Sequence, residues 1–265
     1  MQSIFASSLI LLLVVAFLIG YTLPQTETSQ RQVEYTSEGV TTSSKLPDFA
    51  KYTDVKKKKN DFFSYLLPRV KKANDNILKE RRALLAMLAD LPKLNEDEMT
   101  TLETLKQKYE VDIEDSTKAV KELIKRVDII PASLALAQAA NESAWGTSRF
   151  AKKGNNLFGQ WCYVKGCGLI PKERTGEEKH EVAKFDDVQG SIESYMRNLN
   201  SQVAYEKLRD LRQQAREEAQ TITGIKLANG LWSYSTRREA YIHEIQAMIR
   251  HNNLQQFNRT LAESE

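Results

Sequence analysis

Residues 131–159 read PASLALAQAANESAWGTSRFAKKGNNLFG, and their texture sets the class of the chain. Pro131 suits the first helical turn, where its missing N–H costs nothing, and Gly146 suits the stop. The many alanines between them let other elements pack close. A glycine- and asparagine-rich turn follows, then a short β-prone region from Trp161 to Phe185. There a period-two pattern on both sides of Thr175-Gly176 predicts a hairpin with a polar tip. Helices return from Gly190 to Leu199, near Val203 to Ala219, and from Arg238 to His251. The expected class is α+β, mostly α.

Upstream, the pattern is helical throughout. Val70, Ala73, Ile77, Leu78, Arg81, Leu84, Leu85 and Leu88 recur at three- and four-residue steps, which predicts an amphipathic helix closed by Asp90, Leu91 and Pro92. Asn95 followed by Glu98 reads as a capping pair for a second helix through Met99, Leu102, Leu105 and Tyr109. A third helix carries Ala119, Val120, Leu123, Ile124 and Val127 on one side. Residues 49–128 are therefore expected to form a helical accessory region beside a main domain at 129–255, with 256–265 as a C-terminal tail. Residues 24–48, rich in Ser, Thr, Gln and Glu, cannot bury enough surface to order themselves and read as a flexible linker.

Composition narrows the partners. At 265 residues the chain has room for one substantial domain and something smaller. A formal charge of only +3 argues against a protein built around nucleic-acid phosphate. The run Lys56 to Lys59, followed by Arg69, Lys71 and Lys72, is a solvated face or a contact for anionic headgroups or wall polymers. From Ile4 to Gly20 no side chain is charged, which marks residues 1–23 as a signal peptide or a membrane anchor. Either reading takes the rest of the chain out of the cytoplasm. The length of the run and the lack of a small-x-small cleavage site favour an anchor with inner-membrane association through 4–20.

Chemistry centres on Glu142. It falls in the last turn of the alanine-rich helix, with Ala139 and Trp145 three residues to either side. Apolar neighbours desolvate a carboxyl and favour its protonated form, which is what a general acid requires near neutral pH. The competing reading is a glutamate that hydrogen-bonds a neighbouring loop. Cys162 and Cys167, the only cysteines, read as a small disulfide loop in an oxidising compartment. His180, His243 and His251 are too few and too scattered to complete a zinc site. No serine nucleophile elbow, phosphate loop or dinucleotide fingerprint is present, and no cofactor is expected.

Residues 139–146 (AANESAWG), Ser148, Phe150 and the NLFG of 156–159 together resemble the signature of the bacterial N-acetylglucosaminidase family. That family includes autolysins and the glucosaminidase domain of the flagellar rod protein. The similarity extends from about Ile130 to Leu254. It implies a lysozyme-like fold, a helical lobe with a small β-hairpin lobe, and 129–255 as the catalytic domain. It also implies Glu142 as the acid, peptidoglycan glycan strands as the partner, and a periplasmic or cell-envelope location. The second carboxylate of two-carboxylate glycosidases would fall in IPKERTGEEKHEVAKF. Glu173 matches best when aligned back from Phe185, and Glu177, Glu178 and Glu181 compete with it. Tyr234-Ser235-Thr236 followed by Tyr241 resembles the family's tyrosine-threonine element beside the cleft. Tyr234 would bond the sugar or stabilise charge near its anomeric carbon, or else pack half-buried. Trp145, Phe158 and Trp161 are candidates to stack on sugar rings, with core packing the alternative for Trp145 and Phe158. Asn156 and Thr236 complete the expected substrate contacts. Two other functions fit the same residues. A lytic transglycosylase also uses a lone Glu-Ser on a helix, although its usual glycine-leucine-methionine-glutamine turn is replaced here by NLFG. A non-catalytic wall-binding module would keep the fold without the chemistry.

Overall fold

A computed structural model describes residues 45–172, 179–260 and 263. The expectations for 1–23 and for all but the end of the linker lie outside the described residues, as do Glu173, Glu177 and Glu178. Among the described residues no helix is long and apolar enough to cross a membrane.

Nine α-helices are described: α1 (Val55–Asp90), α2 (Glu96–Lys108), α3 (Ser116–Arg126), α4 (Ala132–Glu142), α5 (Arg149–Gly154), α6 (Val188–Ser201), α7 (Glu206–Glu217), α8 (Gly224–Ala228) and α9 (Glu239–His251). A small antiparallel sheet comprises β1 (Trp161–Cys162), β2 (Gly168–Leu169) and β3 (Glu181–Ala183), in the order β1-β3-β2. Val182 of the central strand pairs with Trp161 on one side and Leu169 on the other. The fold is thus mostly α with a small β part. The predicted hairpin around Thr175-Gly176 has its two strands in β2 and β3; its tip lies outside the described residues.

α4 is the hub. Every residue from Ala132 to Ala140 is buried, and α1, α8, α9 and a 3-10 turn at Leu254–Phe257 all pack on it. Small side chains make this possible, because a Cβ-only surface lets four neighbours approach one helix. Pro131 is the N-cap and offers no side-chain bond. The free N–H of Ser133 instead donates to Asn258 Oδ1 at 3.0 Å, so a residue beyond the expected end of the main domain at 255 caps its central helix. Gly224 packs so tightly on α4 that a Cβ there would lie 2.3 Å from Ser133 Oγ.

The capping pair forms as expected, with reciprocal bonds between Asn95 and Glu98. Helix α1 departs from expectation by starting at Val55, fifteen residues before Val70. Pro68 sits inside it, where proline normally interrupts the ladder. The helix continues because Phe62, Phe63, Tyr65 and Leu66 are buried, and the Arg69 guanidinium donates to the Tyr65 carbonyl at 2.6 Å. Asp54 caps the start, accepting from the N–H groups of Lys56 and Lys57. Asn74 of α1 then reads the backbone of Ile130 like a strand partner, donating at 2.9 Å and accepting at 3.0 Å.

A buried charge cluster joins α1, α3, α6 and α7. Asp128 accepts two bonds from Arg216, at 2.9 and 2.7 Å, and lies 3.7 Å from Arg81. Arg212, fully buried, donates to the carbonyls of Lys125, Arg126, Asp128 and Ile129 and to Asn200 Oδ1. Burial pushes the Asp128 carboxyl up, but Arg216, Arg212 and Arg81 outweigh it and hold the group below its usual value. A depressed carboxyl stabilises the fold above its unfolded pKa, about 3.9, and the contribution is lost as pH falls through the folded value. Asp128→Asn leaves three guanidinium groups facing no anion and is expected to cost about 3–5 kcal/mol in urea unfolding at pH 7. Its stability should also fall less steeply than that of the wild type as pH drops below about 4, where the contribution of Asp128 is lost.

Candidate active site

The site begins where α4 stops. Gly146 was the expected stop, but the helix ends at Glu142, four residues earlier, and Ala144, Trp145 and Gly146 follow with φ of 49°, 59° and 73°. The run of left-handed residues is held by Ser143 Oγ, which donates to the Ala139 carbonyl at 2.6 Å and accepts from Gly146 N at 2.7 Å. Each non-glycine residue in this region costs about 1–2 kcal/mol. The turn delivers Trp145 edge-on to Phe62 and Phe63, at 5.6 and 5.3 Å between ring centroids. Such pairs each contribute about 0.5–1.5 kcal/mol beyond area burial, which together with that burial offsets the strain. Gly146 is required on two counts, its φ and a Cβ that would meet Phe49 Cδ2 at 2.8 Å.

Trp145 is therefore not beside Glu142 on a helix face. It braces the turn against α1, with Lys59 Nζ 5.0 Å from its ring centroid. What surrounds Glu142 is a set of phenols. Tyr241 of α9 donates to Glu142 Oε1 at 2.7 Å and accepts from Gln138 Nε2 at 2.9 Å; Gln138 Oε1 accepts from Tyr195 of α6 at 2.6 Å. Tyr234 stacks on Tyr241 with centroids 5.4 Å apart and 8° between planes, and Tyr205 is tilted toward Tyr234 at 6.0 Å. Burial pushes the Glu142 carboxyl above its ordinary value, against the lowering effect of bonds from Tyr241 and Asn141; Glu244 adds to the rise and Arg237 opposes it. The same burial, with the charge of Glu142, raises the Tyr205 phenol to about 12. Tyr234 is raised well above its ordinary value by burial, then by Tyr241 and Glu142. At neutral pH these phenols are neutral groups around one carboxyl whose affinity for a proton is raised by burial.

The other expected site residues separate into two groups. Tyr234 joins Glu142, and its hydroxyl donates to the Phe158 carbonyl at 3.1 Å. Thr236 is exposed in the same turn. Trp161 is 57% exposed and stacks on His180 at 4.0 Å, so a ring face stays on the surface of the sheet. Phe158, for which core packing was the alternative, and Asn156 are built into the scaffold. Phe158 is 3% exposed and stacked on Tyr195 at 3.9 Å, which leaves no face for a ring. Asn156, 1% exposed, donates to the carbonyls of Gln160 and Ala183 and accepts from the N–H groups of Phe158 and Gln160, so its amide is consumed in joining the NLFG turn to β3. Glu181, a candidate second carboxylate, is 5% exposed and accepts from Gly166 N at 3.0 Å and Gly168 N at 2.8 Å. It braces the loop closed by the Cys162–Cys167 disulfide. Gln138 and Tyr195 were not anticipated. The signal for Gln138 was present: an amide one helical turn before Glu142 in a stretch otherwise made of alanine and leucine. Tyr195 and Tyr205 carried none, because only tertiary packing brings them here.

Asn156→Ala is expected to lower stability by about 2 kcal/mol or more, because it strips buried backbone groups of their partners. Thermal unfolding reads this directly. The same substitution in a protein kept folded at low temperature should leave substrate affinity within about twofold, as Asn156 has no free polar atom for a ligand.

Residues 117–254 match the Glucosaminidase family model, described as mannosyl-glycoprotein endo-beta-N-acetylglucosaminidase. Protein bax of Escherichia coli (strain K12) is 33% identical over 212 residues, covering 79% of this chain and 75% of that protein. The crystal structure of the catalytic domain of the autolysin Auto from Listeria monocytogenes aligns with a TM-score of 0.39 and 22% identity, over 65% of this chain and 94% of that one. The chain belongs to the glucosaminidase family.

Proposed function

We propose that the chain is an endo-acting β-N-acetylglucosaminidase of the cell envelope that hydrolyses peptidoglycan glycan strands, with Glu142 as general acid. The observation that carries this is the Glu142 carboxyl itself. It stands at the free end of a buried helix, its affinity for a proton raised by burial, and one of its oxygens is fixed by Tyr241. A carboxyl whose hold on its proton is strengthened by burial can donate that proton to a departing glycosidic oxygen, and its carboxylate then has a phenol waiting to stabilise it. Tyr234 spends its proton on the Phe158 carbonyl, so its oxygen offers lone pairs to positive charge developing near the anomeric carbon. The exposed face of Trp161 suits a sugar ring. Membership of the glucosaminidase family and the similarity to Protein bax support a glycosidase of this class. Glu173, which lies outside the described residues, is proposed as the second carboxylate. The apolar run at 4–20 directs the chain to the envelope, where its substrate lies.

Purified wall sacculi digested by wild type and Glu142→Gln distinguish the readings. Wild type should release fragments with a reducing N-acetylglucosamine end, and Glu142→Gln should be slower by at least about 100-fold. Fragments ending in anhydro-muramic acid would instead identify a lytic transglycosylase. Binding without release, the same in both proteins, would identify a non-catalytic wall-binding module.

A further inference from the structure

The amide of Gln138 is fully buried one helical turn before Glu142. The chain of three hydrogen bonds from Tyr195 through Gln138 and Tyr241 to Glu142 has one possible direction whenever Glu142 is ionised. A carboxylate only accepts, so the single proton of Tyr241 must point at Glu142 Oε1. Tyr241 must then accept from Gln138, which turns the Nε2 end of the amide toward it at 2.9 Å and the Oε1 end toward Tyr195, whose proton must point inward at 2.6 Å. Reversing the chain requires the amide to rotate by half a turn. Gln138 is fully buried on α4 and Tyr195 is 1% exposed and stacked on Phe158, so both are clamped.

We propose that Gln138 is a positioning residue, locked by Tyr195, which keeps the Tyr241 proton on Glu142 Oε1 and thereby confines the acidic proton of Glu142 to Oε2. The inference rests on the reading of Glu142 as general acid. In the step it serves, the Oε2–H bond breaks, an O–H bond forms on the leaving sugar oxygen, and the carboxylate left behind already has its phenol donor in place. Nothing reorients during the transfer, which is the condition under which a fixed dipole is most effective. Without the lock, protonated Glu142 would turn its proton onto Tyr241, an arrangement in which the acid holds its proton away from the reacting bond.

The groups facing Glu142 are Tyr195 from α6, Tyr205 at the start of α7, Tyr234 and Arg237 from the turn before α9, Tyr241 and Glu244 from α9, and its neighbour Asn141. Among the charged groups, Glu244 raises and Arg237 lowers the affinity of Glu142 for its proton, and the bond from Tyr241 lowers it. Weakening that bond must therefore move the ionisation of Glu142 to higher pH. Activity that needs the protonated acid then persists further into the alkaline range, even as its maximum falls.

The test measures kcat and KM on soluble glycan strands prepared from sacculi, between about pH 4 and pH 9, for wild type, Tyr195→Phe, Gln138→Met and Glu142→Gln. Tyr195→Phe removes one oxygen and keeps the ring stacked on Phe158, so it should fold even if Gln138→Met does not; thermal midpoints check both. The expected result is a fall in kcat of about tenfold for each, KM within about twofold, and an alkaline limb displaced upward. A folded Tyr195→Phe with wild-type kcat and an unmoved limb would overturn the inference. So would a loss of activity that merely follows the thermal midpoint with the limb in place. Glu142→Gln separates the two levels. If it is inactive while Tyr195→Phe and Gln138→Met match wild type, only the role of Gln138 fails; if it retains wild-type activity, the proposed function fails as well.

Discussion

A helix buried on every side cannot carry its own polar groups to water, and that constraint organises this protein. From Ala132 to Ala140 the central helix has no exposed residue. Its polar side chains must therefore find partners inside, and each does so on a different element: Ser133 at the backbone of Gly224, Gln138 at Tyr195 and Tyr241. An unpaired amide at that depth would cost about 1–3 kcal/mol, so the phenols are as much a requirement of the fold as of the chemistry. Glu142 is the first side chain of the helix, after Asn141, to leave the enclosed region, and it does so at the point where the backbone turns left-handed.

The turn and the N-terminal helix depend on each other. Ala144 and Trp145 occupy a backbone region that their side chains disfavour, and the aromatic contacts with Phe62 and Phe63 supply the compensation. Helix α1 is held in turn by Asn74 at the entrance to α4 and by Arg81 beside Asp128. Anchored at both ends of α4, α1 fixes the helix along its axis. A shift of α1 would be felt at the turn that positions the Glu142 carboxyl, although α1 contributes no group to it.

Much of this was legible from local pattern. The capping pair at Asn95 and Glu98, the buried face of α3 and the antiparallel pairing of β2 with β3 follow from spacing and residue type, because the forces that decide them act over short stretches of chain. What was not legible was decided at long range. Pro68 argued for a break that buried aromatics override. Gly146 marked a helix stop correctly in kind but not in place, since the strain at Ala144 and Trp145 is offset by residues some eighty positions earlier. Asn156 and Phe158 carry a motif that reads as a site, yet the geometry uses them to build the turn behind it. Glu142 stood out as a lone carboxylate at the end of an alanine-rich helix, and Gln138, one turn earlier, was open to the same reasoning.

Two opposing effects meet at that carboxyl. Burial alone would drive it toward permanent protonation, and an acid that cannot ionise cannot transfer a proton. A donated hydrogen bond alone would keep it ionised and leave no proton to give. Tyr241 and burial act in opposite senses, with burial the larger, so Glu142 holds its proton more tightly than a free glutamate while keeping a donor for its carboxylate. The phenol can hold that balance only while its own proton points the right way. Tyr241 has one proton and accepts one bond from Gln138, so its orientation is fixed by α4. The helix that places Glu142 therefore also fixes the phenol that donates to it, and both follow from how closely the alanines let the surrounding helices approach.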